Sequence, residues 1–193
     1  MNLVYNAGTQ GIETDRLYLR PFVEQDAEDM LELWINDKEV QFNYGEPVYD
    51  SMESVKEILQ RWITSYSKSE FYRWAIILKE NKHNIGQIAF CGLDLNHHFA
   101  DLEYCISRKY QGKGYATEAL NSVIQFTFEH TGINRLQAFH RGSNIASGKV
   151  LEKSHMLFEG ILRGSYYYSD INEYDDKAYY GITRKNFLEK LNI

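Results

Sequence analysis

Gln111-Gly112-Lys113-Gly114-Tyr115-Ala116-Thr117-Glu118-Ala119 is the stretch on which the fold turns. A strand-like run from Leu102 to Ile106 precedes it, and an amphipathic segment, residues 115–129, follows it. The order is strand, tight glycine turn, helix N-terminus. A helix start leaves its first N–H groups without intrahelical acceptors, and the macrodipole adds partial positive charge there. Gly112 and Gly114 let the backbone come close to a guest, for which phosphate or pyrophosphate is the natural chemistry. Alone, the stretch also fits an ordinary loop and cap.

Spacing excludes two common nucleotide loops. A P-loop needs glycine five residues before its Gly-Lys pair and Ser or Thr after the Lys. Ser107 and Gly114 occupy those places. The dinucleotide fingerprint G-x-G-x-x-G requires glycine where Thr117 stands.

Gln111, Gly114 and Ala116 match R/Q-x-x-G-x-G/A, and in this the chain resembles the GNAT superfamily of acyl-CoA-dependent N-acyltransferases. Ile12-Glu13-Thr14-Asp15-Arg16-Leu17-Tyr18-Leu19-Arg20-Pro21 looks like the opening strand of the branch that acetylates ribosomal-protein N-termini. Asn144-Ile145-Ala146-Ser147, then Val150-Leu151-Glu152-Lys153 and Phe158-Glu159-Gly160, look like that branch's C-terminal helix and strand. The resemblance runs from about residue 12 to about residue 185.

Periodicity along the chain agrees with it. Strand patterns fall at residues 13–20, 71–78, 85–91, 99–106, 133–139, 157–162 and 178–183. Helical spacing falls at 26–36, 51–65 (with Ser51 as N-cap), 115–129 (with Gly132 as its stop) and 143–153. This is an α/β (α+β) order in one domain spanning 1–193. The resemblance implies a GNAT fold: a mixed, mostly antiparallel sheet of about seven strands, flanked by about four helices. Its fourth and fifth strands, 99–106 and 133–139, would splay apart to admit the pantetheine arm of acetyl-CoA.

Composition narrows the classes. With 44% apolar residues and 25% charged, the 193-residue chain has an ordinary globular balance and can bury a core. A net charge of −6 argues against nonspecific nucleic-acid binding and is compatible with a cationic acceptor. No run approaches the ~20 apolar residues of a bilayer span, and the N-terminus lacks a signal-peptide pattern, so a cytoplasmic protein is expected. Cys91 and Cys105 sit in strand-like runs and are expected to be buried thiols. The oligomeric expectation is a monomer or homodimer. No metal is expected; Asp94 with His97-His98 is poor bait, since adjacent histidines in extended chain point apart.

The implied reaction is attack by an amine on the thioester of acetyl-CoA. Cofactor binding falls to Cys105 and Ile106 on the splayed strand and to Gln111, Gly112, Lys113, Gly114, Tyr115, Ala116 and Thr117 in the loop. Lys113 could add charge or be solvated. By analogy Asn144 contacts the cofactor arm, and Ser147 protonates the leaving thiolate. Capping is the alternative for both, because they stand three apart in a helix's first turn. A free α-amine, with a pKa near ~7.7–8, needs only a modest base at pH 7, whereas a lysine amine near ~10.4 costs about 4–5 kcal/mol to deprotonate.

Asp101, Glu103 and Cys105 share one strand face, and Glu103 is the first candidate base. The family often has glycine there, and a salt-bridged strand carboxylate is the other reading. Asp176 is the second candidate, at a recurrent acidic position. A backbone N–H near Cys105 would stabilise the oxyanion. Trp34, Phe42, Tyr44 and Tyr166-Tyr167-Tyr168 are candidates for the acceptor side, and His140 and Arg141 after the fifth strand either line the site or are solvated. After Glu152-Lys153, His155 stands where the family places a left-handed glycine. A non-catalytic acyl-CoA-binding domain on the same fold is the alternative function.

Overall fold

Leu17 and Leu19 are fully buried while Tyr18 between them is exposed, the two-residue alternation of a strand with one covered face. The computed structural model describes residues 7–168 and 171–190. Its strands are β1 (Ile12–Glu13), β2 (Leu17–Arg20), β3 (Arg73–Leu78), β4 (Asn84–Asp94), β5 (Phe99–Ile106), β6 (Arg135–Arg141), β7 (Leu157–Tyr168) and β8 (Glu173–Thr183). Its helices are α1 (Ala27–Leu33), α2 (Lys38–Tyr44), α3 (Met52–Ser65), α4 (Tyr115–His130), α5 (Ile145–Lys153) and α6 (Arg184–Lys190).

The strands form one sheet in the order β1-β2-β3-β4-β5-β6-β8-β7. All neighbours are antiparallel except β5 and β6. One face packs on α4 and α5, where Leu120, Val123 and Leu151 meet Trp74, Ile76, Ile88 and Leu136. The other carries α1 to α3, whose Met30, Val40, Val55 and Leu59 cover Ala75, Ile77 and Cys105. Ser51 Oγ accepts from Ser54 N–H at 3.2 Å and caps α3 as expected.

β5 and β6 run parallel for three rungs only, Phe99↔Arg135, Ala100↔Leu136 and Asp101↔Gln137, and then part. Gln137 Nε2 donates to Asp101 Oδ1 at 2.7 Å across the fork. The expected splay is therefore present and opens beyond Asp101.

Among the described residues there are eight strands and six helices, against about seven and about four expected. The first strand breaks at the turn where Thr14 N–H bonds Leu17 C=O, so it folds back as β1 and β2. α2 and α6 are each seven residues, too short for a clear periodic signal. β7 and β8 extend well beyond 157–162 and 178–183, and β7, an edge strand, is exposed along most of its length, so it shows no alternation. α4 stops at Thr131, whose hydroxyl bonds Thr127 C=O, rather than at Gly132. Cys105 is buried but Cys91 is exposed, because the β4–β5 register shifts between Phe90 and Gly92 and turns Cys91 outward. His155 does take φ 62°, the left-handed conformation expected of a glycine there.

Candidate active site

The glycine turn builds a cradle of amides. Gly112 and Gly114 adopt φ of 73° and 85°, a region costly for other residues. Among the described residues, the N–H groups from Gly112 to Thr117 have no hydrogen-bond acceptor; the first bond of α4 is Glu118 N–H to Gly114 C=O. A second layer fixes the turn from behind. Arg16 Nη1 donates to Lys113 C=O at 2.9 Å, and Gln111 Nε2 to Ile106 C=O at 2.8 Å. Glu118 accepts from Thr14 Oγ1 and Arg16 Nε, each at 2.6 Å, and from Arg16 N–H at 2.9 Å. Burial alone would raise the Glu118 carboxyl; the bonds from Thr14 and Arg16 outweigh it and hold the group below its usual value. Lys113 is exposed, its ammonium 5.3 Å from the Tyr110 ring.

Beside the cradle lies the slot between β5 and β6. Ser107 N–H bonds Ile85 C=O on β4. Alternation in an antiparallel ladder then turns the Cys105 amide toward β4 and those of Tyr104 and Ile106 toward the slot. The oxyanion donors on offer are thus the neighbours of Cys105. Ser147, in the first turn of α5, meets β5 across the slot, with its Oγ 2.7 Å from the Tyr104 hydroxyl. Burial pushes that phenol well above the ordinary tyrosine value and the Ser147 bond opposes this only in part, so Tyr104 stays protonated. Asn144 is the N-cap of α5, its Oδ1 accepting from Ser147 N–H at 3.2 Å. The capping arrangement is therefore formed, and the Asn144 amide nitrogen is left to donate elsewhere.

Glu103 faces the opposite side of the sheet, under α2 and α3. Its Oε1 accepts from Tyr44 OH at 2.5 Å and from Arg73 Nη2 at 2.9 Å. Arg73 also donates to Gln87 Oε1 and lies over the Trp62 ring at 4.5 Å. Burial first, and then the charge of Glu103, raise the Tyr44 phenol well above its ordinary value, so Tyr44 acts as a donor. Burial pushes the neighbouring Cys105 thiol up to about 12, which keeps it inert at neutral pH.

Asp176 lies on β8, and its Oδ1 accepts from Gly164 N–H of β7 at 2.8 Å, a bond that supports the β7–β8 bulge. Trp34 is a core residue, 1% exposed, with its indole N–H bonded to Asn84 Oδ1, and does not face an acceptor. His97 Nδ1 pairs with Asp94 at 3.0 Å at the β4–β5 hairpin tip. Phe42, Tyr166, Tyr167 and Tyr168 do line a common cleft of about 600 Å³ between α2 and β7, together with Glu46 and Arg141. Arg141, one of the two residues after the fifth strand that the sequence offers for the site, does line this cleft, whereas Tyr104 and Arg73 had no local signal. Tyr104 looks like any strand aromatic, and the partners of Arg73 come from elements 14 and 30 residues away.

Residues 16–157 match the acetyltransferase (GNAT) domain family. An uncharacterized N-acetyltransferase of Bacillus subtilis, YoaA, is 32% identical over 168 residues, covering 87% of this chain and 94% of that protein. An acetyltransferase (GNAT family) from Bacillus anthracis, 25% identical, superposes with a TM-score of 0.79 over 91% of this chain and 99% of its own. RimL, a ribosomal L7/L12 alpha-N-protein acetyltransferase solved in complex with coenzyme A, is 19% identical with a TM-score of 0.80, over 92% and 99% of the two chains.

Proposed function

The chain belongs to the GNAT family of acetyltransferases, and on that premise we propose how its residues divide the work of moving an acetyl group to an amine. Acetyl-CoA supplies the thioester: the amine nitrogen bonds its carbonyl carbon, the C–S bond breaks, and coenzyme A leaves as thiolate. The observation that carries the assignment is the run of unpartnered amides from Gly112 to Thr117, which opens beside the β5–β6 slot.

Those amides hold the pyrophosphate. A helix terminus contributes roughly 0.3–1 kcal/mol per surface charge, whereas micromolar binding needs about 8 kcal/mol. The slot-facing groups of Tyr104 and Ile106 must therefore bind the pantetheine arm as an added strand would. The same edge offers N–H groups to the carbonyl oxygen as it gains charge.

Tyr104 and Glu103 are consecutive on an edge that is open beyond Asp101, so they present chemistry on opposite faces of the sheet. On the α5 side, the Ser147 hydroxyl gives its proton to the departing sulfur, and the protonated Tyr104 phenol 2.7 Å away bonds the serine oxygen as that proton leaves. On the α2 side, Glu103 takes the proton of the attacking amine, directly or through water, while Tyr44 and Arg73 fix its carboxylate. The acceptor is a primary amine, of a protein N-terminus or a small molecule, entering from the aromatic cleft. Asp176 has a structural part in this reading.

Calorimetric titration with acetyl-CoA, with ADP and NAD as controls, tests the cradle. Binding well above both controls, followed by turnover of an amine in a panel that includes N-terminal peptides, supports the assignment. A folded protein that ignores acetyl-CoA would reduce Gln111 to Ala116 to a plain turn.

A further inference from the structure

Arg141 closes β6 on the face that carries Glu103; its neighbour His140 points the other way, onto Gly148 of α5. Only 4% of Arg141 is exposed. Its guanidinium carbon lies 4.8 Å from the Phe42 ring centre, 4.6 Å from Tyr166 and 4.8 Å from Tyr168. Phe42 and Tyr168 also stack on each other, 4.8 Å apart and 13° from parallel. Rings against a guanidinium favour its charge but accept none of its in-plane N–H bonds. Among the described residues, nothing accepts from the buried Nη2. Glu39 pairs with Arg108 at 3.0 Å, and Asp175 takes Ser143 and Tyr168. Glu46 shares the cleft but makes no ion pair with Arg141 among the described residues, and burial, then the charge of Glu103, raise its carboxyl above the usual value. A buried cation with unused donors, on the wall of a 600 Å³ cleft, is matched to an anion that arrives from outside.

We propose that Arg141 recognises an anionic group on the acceptor, so that the substrate is an amine that also carries a carboxylate or a phosphate. The anion sits on the Arg141 fork within the aromatic wall, and the amine points toward Glu103. Register sets the span. Asp101 faces Gln137; Glu103 lies two residues further along β5 and Arg141 four further along β6. That offset is roughly 7 Å along the strands, and with a strand spacing of at least ~4.8 Å it puts the two Cα atoms at least about 8 Å apart. The acceptor's amine and anion are therefore several bonds apart, as in a short peptide or a phosphorylated amino sugar. This specificity rests on the acetyl-transfer reading, but its binding step can be measured without turnover.

The first arm is NMR of the arginine guanidinium groups, with the Arg141 signals assigned by their loss in Arg141→Lys. Sodium acetate, inorganic phosphate and, as control, chloride at matched ionic strength are titrated into the wild-type protein. A saturable shift of the Arg141 signals with acetate or with phosphate, absent with chloride, is expected; the responding anion names the class. No saturable response to either overturns the proposal. The second arm compares trialanine with trialanine amide, and glucosamine 6-phosphate with glucosamine, as acceptors. A preference for the anionic member of one pair by roughly tenfold or more in kcat/KM, lost in Arg141→Gln through KM, is expected. Equal turnover within both pairs, or a preference that survives Arg141→Gln, counts against it. Failure of the acetyl-transfer reading appears separately, as absent acetyl-CoA binding by a protein whose Arg141 still responds to anions.

Discussion

The Tyr104 hydroxyl lies 2.7 Å from Ser147 Oγ, a bond that joins β5 to α5 across the slot. It gives Ser147 a hydroxyl partner that burial keeps protonated. Ser147→Ala should lower kcat by about 10²-fold or more with little change in KM, within the usual range of general acid catalysis. Tyr104→Phe should act in the same direction and less severely, because the serine remains. Steady-state kinetics decides: equal turnover by Ser147→Ala and wild type would remove the serine from the chemistry.

Glu103 is fixed by Tyr44 and Arg73 on a single oxygen. Glu103→Gln keeps the shape and removes the base, so kcat/KM should fall by about 10²-fold or more for an acceptor amine that is mostly protonated at the assay pH. Raising the pH should recover much of that loss, since the amine then arrives already deprotonated. A loss independent of pH would assign Glu103 to structure instead.

Stability should hold up to about pH 10 and then decline. Burial raises Tyr66 to about 12, and burial, then the charge of Glu103, raise Tyr44 well above its ordinary value. Above the unfolded value near ~10, the unfolded chain ionises these phenols while the folded one keeps them protonated, so folding loses about 1.4 kcal/mol per pH unit for each. Urea unfolding between pH 9 and about 12 should show the slope, and Tyr66→Phe should make it shallower. An unchanged slope in that variant would mean that Tyr66 ionises alike in both states.

His155 occupies a left-handed position at φ 62° after α5. Relief of about 1–2 kcal/mol of strain, set against about 0.5–1 kcal/mol of added chain entropy, makes His155→Gly stabilising by about 0.5–1 kcal/mol. Chemical denaturation measures it. A destabilised variant would show that the imidazole contributes more than its backbone costs.

Glu118 orients the cradle through Arg16 and Thr14. Its carboxyl is held below the usual value, so its stabilisation is present above about pH 4.5 and is lost as pH falls through the folded value. Glu118→Gln should weaken acetyl-CoA binding roughly three- to tenfold and blunt that acid transition. Unchanged affinity would show that the turn holds its shape without this support.

Much of the architecture was legible because it rests on local pattern. The glycine turn, the long helix behind it and the alternating strands each carry their signal within a dozen or so neighbours. Misses arose where tertiary contact overrides pattern. Trp34, at helical spacing, went to the core because its indole finds Asn84 on another element. Cys91 turned outward at a bulge that only the pairing with β5 defines. Ser147 and Glu103 could be named from motif and strand face, but Tyr104, Arg73 and Tyr44 act on them from positions that only the folded chain brings together.

The three rungs between β5 and β6 have one more consequence. They are the strand pairing that joins β6, β8 and β7 to the rest of the sheet; beyond Asp101 the two parts are held by the shared core under α4 and α5 and not by strand-to-strand bonds. A pantetheine arm bonded along the slot lengthens the seam with amides of its own. Hydrogen exchange in β6 and β8 should then slow more on adding coenzyme A than exchange in β2 and β3, making the cosubstrate a stitching thread of the sheet as well as its cargo.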